Sequence, residues 1–251
     1  MRVLVTFAVE AEFAPWRRSR RFVETTNDGL SPIYSATIDD LVIEVLLTGI
    51  GGKSAWLQTT KKVWDCDVDI CISSGLAGAL RSDYQIGQVL AAKMVYSADW
   101  EKTVFADKSL LRTAVAIGAR EVGSFYSADH VVLSAIEKQE LAKRSDAVEM
   151  ESGEVLYEAA AFGARVIAIR GISDSAEEDL PLDFNRVTTA TGQVSLPRVL
   201  GEVAKHLNAV PSLIRFGQQS RMAAEKLAEF LERYVQALAG ERRRLAGEAV
   251  S

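Results

Sequence analysis

The sequence predicts an α/β fold: three layers, α/β/α, around a central mixed, mostly parallel twisted sheet, with a helical C-terminal extension. Three observations carry this. Short runs rich in Val, Ile and Leu alternate with stretches whose apolar residues recur at helical spacing, so strands should alternate with helices. Glycine-rich segments follow strand patterns at TGIGG, 48–52, and SSGLAGAL, 73–80. Finally, residues 147–175 read as one β–α–β unit in which both strands end in acid: Glu149-Met150-Glu151 and Ser173-Asp174.

The elements follow in order. Arg2–Ala8 is short and Val-rich, a first strand, and Val9–Trp16 is a loop or helix start containing Glu10 and Glu12. LVIEVLL at 41–47 is a second strong strand, and Ser54–Val63 has helical spacing. Val68–Ser73 reads as a buried strand, Gly87–Tyr96 as another and Val122–Tyr126 as a weaker one. Ile136–Arg144 is helical. A strand ends near 149, a helix covers 152–162, and a strand covers 165–172. Ser195–Asn208 is helical, with Pro197 tolerated in the first turn. Pro211 opens a longer helix to about Ala239, on which Ala224, Leu227, Leu231, Tyr234 and Leu238 form one apolar stripe. That stripe is expected to pack on the main body. The division expected is an α/β body over 1–180, a helical extension over 181–240 completing the same domain, and a flexible tail over 241–251.

Composition narrows the function. The 251 residues are 48% hydrophobic and 25% charged, which suits a globular domain with a sizeable core. A formal charge of −5 argues against a broad nucleic-acid-binding face. Two cysteines, Cys66 and Cys71, lie in or near an apolar segment and form no CxxC, so they read as reduced core residues. With two histidines and no Cys/His cluster, no metal site is expected. The opening MRVLVTFAV reads as a strand and not as a secretion signal, and no apolar run approaches a membrane span. A cytoplasmic protein is therefore expected.

The chemistry concentrates at the strand ends. Open α/β sheets bind ligands beyond the C-terminal ends of their strands. Three carboxylates beside Val, Ile and Ala are costly to bury unless cations or hydroxyls meet them. Gly-rich segments let backbone N–H groups approach a ligand, yet a strand-to-helix turn often needs Gly for geometry alone. Taken singly, Glu12 would serve as a helix-start acid, Asp174 as an N-cap and Glu149 as a solvated strand-end acid.

Taken together, AVEAEF, TGIGGKSA, SGLAGAL, IGQVLAAKMVYSAD, VEMES and ISD in this order resemble the nucleoside phosphorylase superfamily. The resemblance spans about residues 1–175 and is strongest to its methylthioadenosine/S-adenosylhomocysteine nucleosidase branch. The glycine segment and the long C-terminal stretch are also similar to the hopanoid-associated phosphorylase group.

The resemblance implies cleavage of the N-glycosidic bond of a purine nucleoside, with a 5′-modified adenosine as the expected substrate. Breaking that bond builds positive charge on the ribose and negative charge on the base. Glu151 is then expected to accept bonds from the ribose hydroxyls, with Met150 lining the sugar face and Glu149 beside it. Asp174 would protonate the base as general acid, oriented by Ser173. Glu12 matches the glutamate that positions the attacking water in the nucleosidase branch. Gly75, Leu76 and Ala77 of the glycine segment would approach the ligand. Val131 stands where nucleosidases place a phenylalanine against the base, provided that Asp129 is the matching Asp; His130 reads as a structural histidine.

Water is expected as the nucleophile. Where purine phosphorylases hold phosphate with Arg and Ser, this chain has Ser73 and Leu76, and Arg is the usual bidentate partner of phosphate. The alternative is a phosphorylase, with phosphate as co-substrate and Arg17, Arg18 or Lys53 compensating. A minor alternative is a binding module without catalysis. No other cofactor is expected. The partners expected are a small-molecule nucleoside and a second copy of the chain, most simply in a homodimer.

Overall fold

The computed structural model describes residues 1–25, 32–98, 102–187 and 210–248. The strands are β1 Arg2–Phe7, β2 Val23–Thr25, β3 Ile33–Ile38, β4 Leu41–Leu47, β5 Ile70–Ala79, β6 Val89–Ser97, β7 Thr103–Phe105, β8 Arg120–Ser127, β9 Ala147–Glu149 and β10 Arg165–Asp174. The helices are α1 Glu10–Ser19, α2 Gly52–Asp65, α3 Lys108–Ala116, α4 Ala135–Leu141, α5 Ser152–Ala161, α6 Phe184–Val187 and α7 Val210–Glu248. None of the described helices is long and apolar enough to cross a membrane.

All ten strands belong to one mixed sheet. Strands β4, β1, β5 and β10 form one parallel group, and β6, β8 and β9 form another. Two antiparallel seams join the groups, β10 to β6 and β5 to β9. Because β10 pairs with both β5 and β6, five strands close into a ring, and β1, β4, β3 and β2 extend from it as an open wing. The β-alternation separates two cores. Ile167 and Ile169 of β10 face the core shared with α1, α3 and α7. Val166 and Ala168 face the core shared with α2 and α5. This is the three-layer arrangement the periodicities predict.

The apolar stripe on α7 packs as expected: Leu227, Leu231 and Tyr234 are wholly buried against the sheet, and the Tyr234 hydroxyl donates to the Leu110 carbonyl at 2.9 Å.

Several elements differ from expectation. Strand β5 runs through Gly75 to Ala79, so the segment read as a turn after a strand is itself strand, paired to β10 along its length. Backbone pairing on both sides outweighs the low strand propensity of its glycines. Strands β2, β3 and β7 and helix α3 lie outside the predicted set. Helix α3 opens on Asp107, whose side chain accepts from the Ser109 and Leu110 N–H groups. The tail was expected to begin at 241, but α7 continues to Glu248. Glu241 accepts from Thr113 at 2.8 Å and Arg242 pairs with Asp40 at 2.8 Å, which gives this last stretch of helix a surface to hold. The helix expected at 195–208 lies outside the described residues.

Candidate active site

The ring, with β1 beside β5, brings the ends of β1, β5, β9 and β10 to one place. There they surround a cavity of about 210 Å³ whose wall includes Glu12, Leu76, Ala77, Glu149, Glu151 and Asp174. Met150, Ser173 and Val131 line it as well. A larger, more open cleft of about 640 Å³ adjoins it across Met150. Its charges include Lys53 and the exposed Asp129, together with a Lys102–Glu154 pair, and it lacks converging buried carboxylates. The smaller cavity is the stronger candidate, because titratable groups gather there against apolar walls.

Glu12 stands in the first turn of α1 and folds back over the end of β1. One carboxylate oxygen accepts from the Ala8 N–H at 3.1 Å and the other from the Leu76 N–H at 2.9 Å. Burial raises its pKa above the usual glutamate value, against those N–H groups and the charge of Arg170. Gly75 makes this approach possible. Its φ is +143°, and a Cβ there would lie 3.1 Å from both Glu12 oxygens. Gly75 therefore supports Glu12 from behind, while Leu76 and Ala77 line the cavity.

Glu149 and Glu151 have different surroundings. One Glu149 oxygen accepts from the Glu151 N–H at 3.0 Å, the Ser152 N–H at 2.7 Å and Arg170 Nη2 at 2.6 Å. It thus caps α5 and forms a buried ion pair whose side chains are 0% and 1% exposed. Its other oxygen is buried without a hydrogen-bond partner among the described residues. Glu151 occupies the N-cap position of α5 but turns its side chain away, accepting from the Gly51 N–H at 2.8 Å. Burial, with the neighbouring charge of Glu149, pushes its pKa up to about 8, opposed by Arg170 and the Gly51 N–H. The cap assigned by position to Glu151 is made by Glu149.

Arg170 is the residue that sequence reasoning missed. It is 1% exposed in the middle of β10. Its Nη2 also donates to Ser73 at 3.1 Å and Ser152 at 2.8 Å, while Nε and Nη1 find no partner among the described residues. A signal was present: an arginine inside the apolar run VIAIRGI must find a partner or stay out of the core. Of the cations considered instead, Arg17 pairs with Glu10 at 2.9 Å and Lys53 lies in the adjoining cleft.

Asp174 ends β10 and lines the same cavity. Ser173 Oγ donates to its Oδ1 at 2.7 Å, and Lys138 Nζ lies 2.6 Å from its Oδ2. Val131 is held by a two-way clasp, its N–H donating to Asn185 and its carbonyl accepting from the same side chain. Phe184 and Phe216 also reach the cavity, with ring centroids 5.3 Å apart. An aromatic wall thus comes from α6 and α7. His130 sits at the rim with one ring nitrogen on Asp129 and the other on Glu137, and these two carboxylates raise its pKa. Among the described residues no group of three or more His, Cys, Asp or Glu side chains is arranged to hold a metal ion.

Comparison with known proteins agrees with this geometry. The structure is similar to 5′-methylthioadenosine/S-adenosylhomocysteine nucleosidase from Helicobacter pylori, with a TM-score of 0.73 and 22% identity, covering 94% of this chain and 98% of the other. It is similar to futalosine hydrolase from the same organism, with a TM-score of 0.72, 21% identity, and 94% and 97% covered. The nucleosidase of Neisseria meningitidis gives 0.72, 20% identity, and 94% and 99% covered. The family model for the phosphorylase superfamily matches residues 2–236. With its ringed sheet and the acids gathered at the strand ends, the chain belongs to the phosphorylase superfamily.

Proposed function

We propose that the protein cleaves the N-glycosidic bond of a purine nucleoside, with water as nucleophile and no cofactor. The carrying observation is the uneven charge around the cavity. Three carboxylates, Glu12, Glu149 and Glu151, share one arginine on one side. Such a cluster of buried acids, short of positive charge, suits a ribose that becomes positive in the transition state, because that charge favours ionisation of Glu12 and Glu151. It opposes a phosphate dianion, which would bring further negative charge against Glu12.

In this reading Glu12 holds the water and takes its proton. The water oxygen bonds to C1′ while the C1′–N9 electron pair passes to the base, and Asp174 gives a proton to the purine. Burial raises the pKa of Glu12, which makes its carboxylate a stronger base toward that proton. Glu151 accepts from the ribose hydroxyls. The apolar Val9, Ile50, Phe184 and Phe216 that line the cavity favour an apolar 5′ substituent. The neighbouring nucleosidases, named for 5′-methylthioadenosine and S-adenosylhomocysteine, support a 5′-modified adenosine.

The unpartnered Nε and Nη1 of Arg170 favour a second reading, in which phosphate occupies the nucleophile position. The two separate cleanly. Incubation with 5′-methylthioadenosine in phosphate-free buffer should release adenine and free methylthioribose. A requirement for phosphate, with a sugar 1-phosphate as product, would replace hydrolysis by phosphorolysis. Release of no base under either condition would leave only binding.

We also infer a cytoplasmic homodimer. Exposed Trp56, Leu57 and Trp64 on α2 lie beside Tyr157 and Phe162 at α5, an apolar surface that a second copy would cover. Sedimentation of the purified protein tests it, and a monomer at micromolar concentration would remove it.

A further inference from the structure

Lys138 is a lysine with no exposed side-chain surface, set on a short, largely polar helix. Its three N–H groups are all committed. Nζ donates to Asp174 Oδ2 at 2.6 Å, to the Ser175 carbonyl at 2.7 Å and to the Glu178 carbonyl at 3.1 Å. The ammonium is therefore fixed in direction, and Asp174 is the one carboxylate it meets. On the facing strand, Gly78 leaves room for this pair: a Cβ there would stand 2.9 Å from Asp174 Oδ2. Ser173 holds the other oxygen.

Burying an ammonium costs several kcal/mol that an apolar side chain of similar volume would avoid. The protein has a second buried lysine for comparison. Lys62 on α2 is 3% exposed and pairs with Glu44 at 3.0 Å, away from the cavity. Lys62 stitches a helix to a strand. Lys138 instead places its charge behind the acid that faces the leaving base.

We propose that Lys138 is a positioning residue for departure of the base: its fixed ammonium holds Asp174 and meets the carboxylate formed when Asp174 hands its proton to the purine. The inference rests on the proposed role of Asp174. In the step itself, the C1′–N9 electron pair moves into the purine, one proton moves from Asp174 to a purine nitrogen, and Asp174 is left as carboxylate. Lys138 keeps all three of its protons. A charge already in place needs no reorganisation as the new carboxylate appears.

The test compares two leaving groups. 5′-Methylthioadenosine needs its base protonated, whereas 4-nitrophenyl β-D-ribofuranoside releases a nitrophenolate that leaves without a proton. Lys138→Met should lower kcat on the nucleoside by roughly 30- to 100-fold, within the span of general acid catalysis, and leave KM nearly unchanged. On the nitrophenyl riboside it should change kcat by less than about threefold, because no proton transfer is needed. Lys138→Gln, which keeps an N–H donor for the carbonyls but no charge, should show the same split and carries the test where Lys138→Met does not fold. Lys62→Met should lower the melting temperature and show no split.

Equal losses on both substrates would make Lys138 merely structural and overturn the proposal. So would normal nucleoside turnover by both Lys138 variants while Asp174→Asn is impaired. Normal nucleoside turnover by Asp174→Asn would instead overturn the role of Asp174 itself, and the Lys138 proposal with it.

Discussion

The two ends of the cavity balance charge in opposite ways. At one end, Glu12, Glu149 and Glu151 face a single arginine, and two of the three have raised pKa values because burial outweighs the hydrogen bonds they receive. At the other, the single acid Asp174 has its own ammonium and a serine hydroxyl. One end is short of positive charge and the other is supplied with it. A reaction that makes its sugar positive and its base negative is served by this asymmetry, and a symmetric distribution would help one half of the bond cleavage while hindering the other.

The largest effects should come from the two ends separately. Glu12→Gln and Asp174→Asn should each lower kcat on a purine nucleoside by about 100-fold or more. The comparison sharpens with leaving group. Glu12→Gln should impair purine and nitrophenyl ribosides alike, because both need the water activated, whereas Asp174→Asn should impair only the purine. Both variants losing only the purine activity would break the division of labour between the ends.

Glu149→Gln comes next, and it should act on stability. The change leaves a buried guanidinium without its counter-charge, which costs about 3–5 kcal/mol. Urea unfolding checks this, and a midpoint like that of the wild type would show that Arg170 finds another partner.

Glu151→Gln should be milder in stability and specific in function. Above pH 8, where Glu151 is ionised, loss of this charged acceptor for ribose hydroxyls is worth about 1.5–3 kcal/mol, roughly a 10- to 100-fold loss of preference for ribo- over 2′-deoxyribonucleosides. Kinetics with the paired sugars measures it. An unchanged preference would remove Glu151 from the sugar site.

The smallest effect concerns pH. The carboxyl of Glu151 is held near 8 in the folded protein and near 4.5 when the chain unfolds. It is therefore neutral in the fold where the unfolded chain already ionises. The stability this contributes is complete below pH 4.5 and is lost as pH rises through 8. Glu12 acts in the same direction. The gap in melting temperature between the wild type and Glu151→Gln should shift against the wild type from pH 5 to pH 8. A gap that does not move would mean that Glu151 ionises freely in the fold.

Much of this site was legible from residue order. Glu149, Glu151 and Asp174 close apolar strands, and strand ends are where such sheets gather ligands. What stayed hidden were the partners. Lys138 sits in IEKQELAK, where a lysine among other charges looks like a solvated helix face, and its burial depends on β10 arriving from 36 residues away. Arg170 had a visible anomaly but no visible target, since Ser73 lies on another strand. The glycine segment misled for a related reason. Local propensity favours a turn, and only the pairing of this part of β5 with β10 and β9 makes it strand. Phe216 reaches the cavity from a helix that the stripe at 224–238 marked only as packing.

The closed ring of strands also bears on how the molecule assembles. Strand β10 is the last ring strand in the sequence, it pairs with β5 and β6 at once, and it carries both Arg170 and Asp174. Its contact with β5 spans nearly a hundred residues of chain, the sort of long-range pairing that slows folding. A chain that has not yet closed the ring lacks the cation of one end and the acid of the other. Activity should therefore appear in a single late kinetic phase on refolding, together with protection of the β10 amides from hydrogen exchange. In the native state those amides should open only with global unfolding, so the site would be as durable as the fold itself.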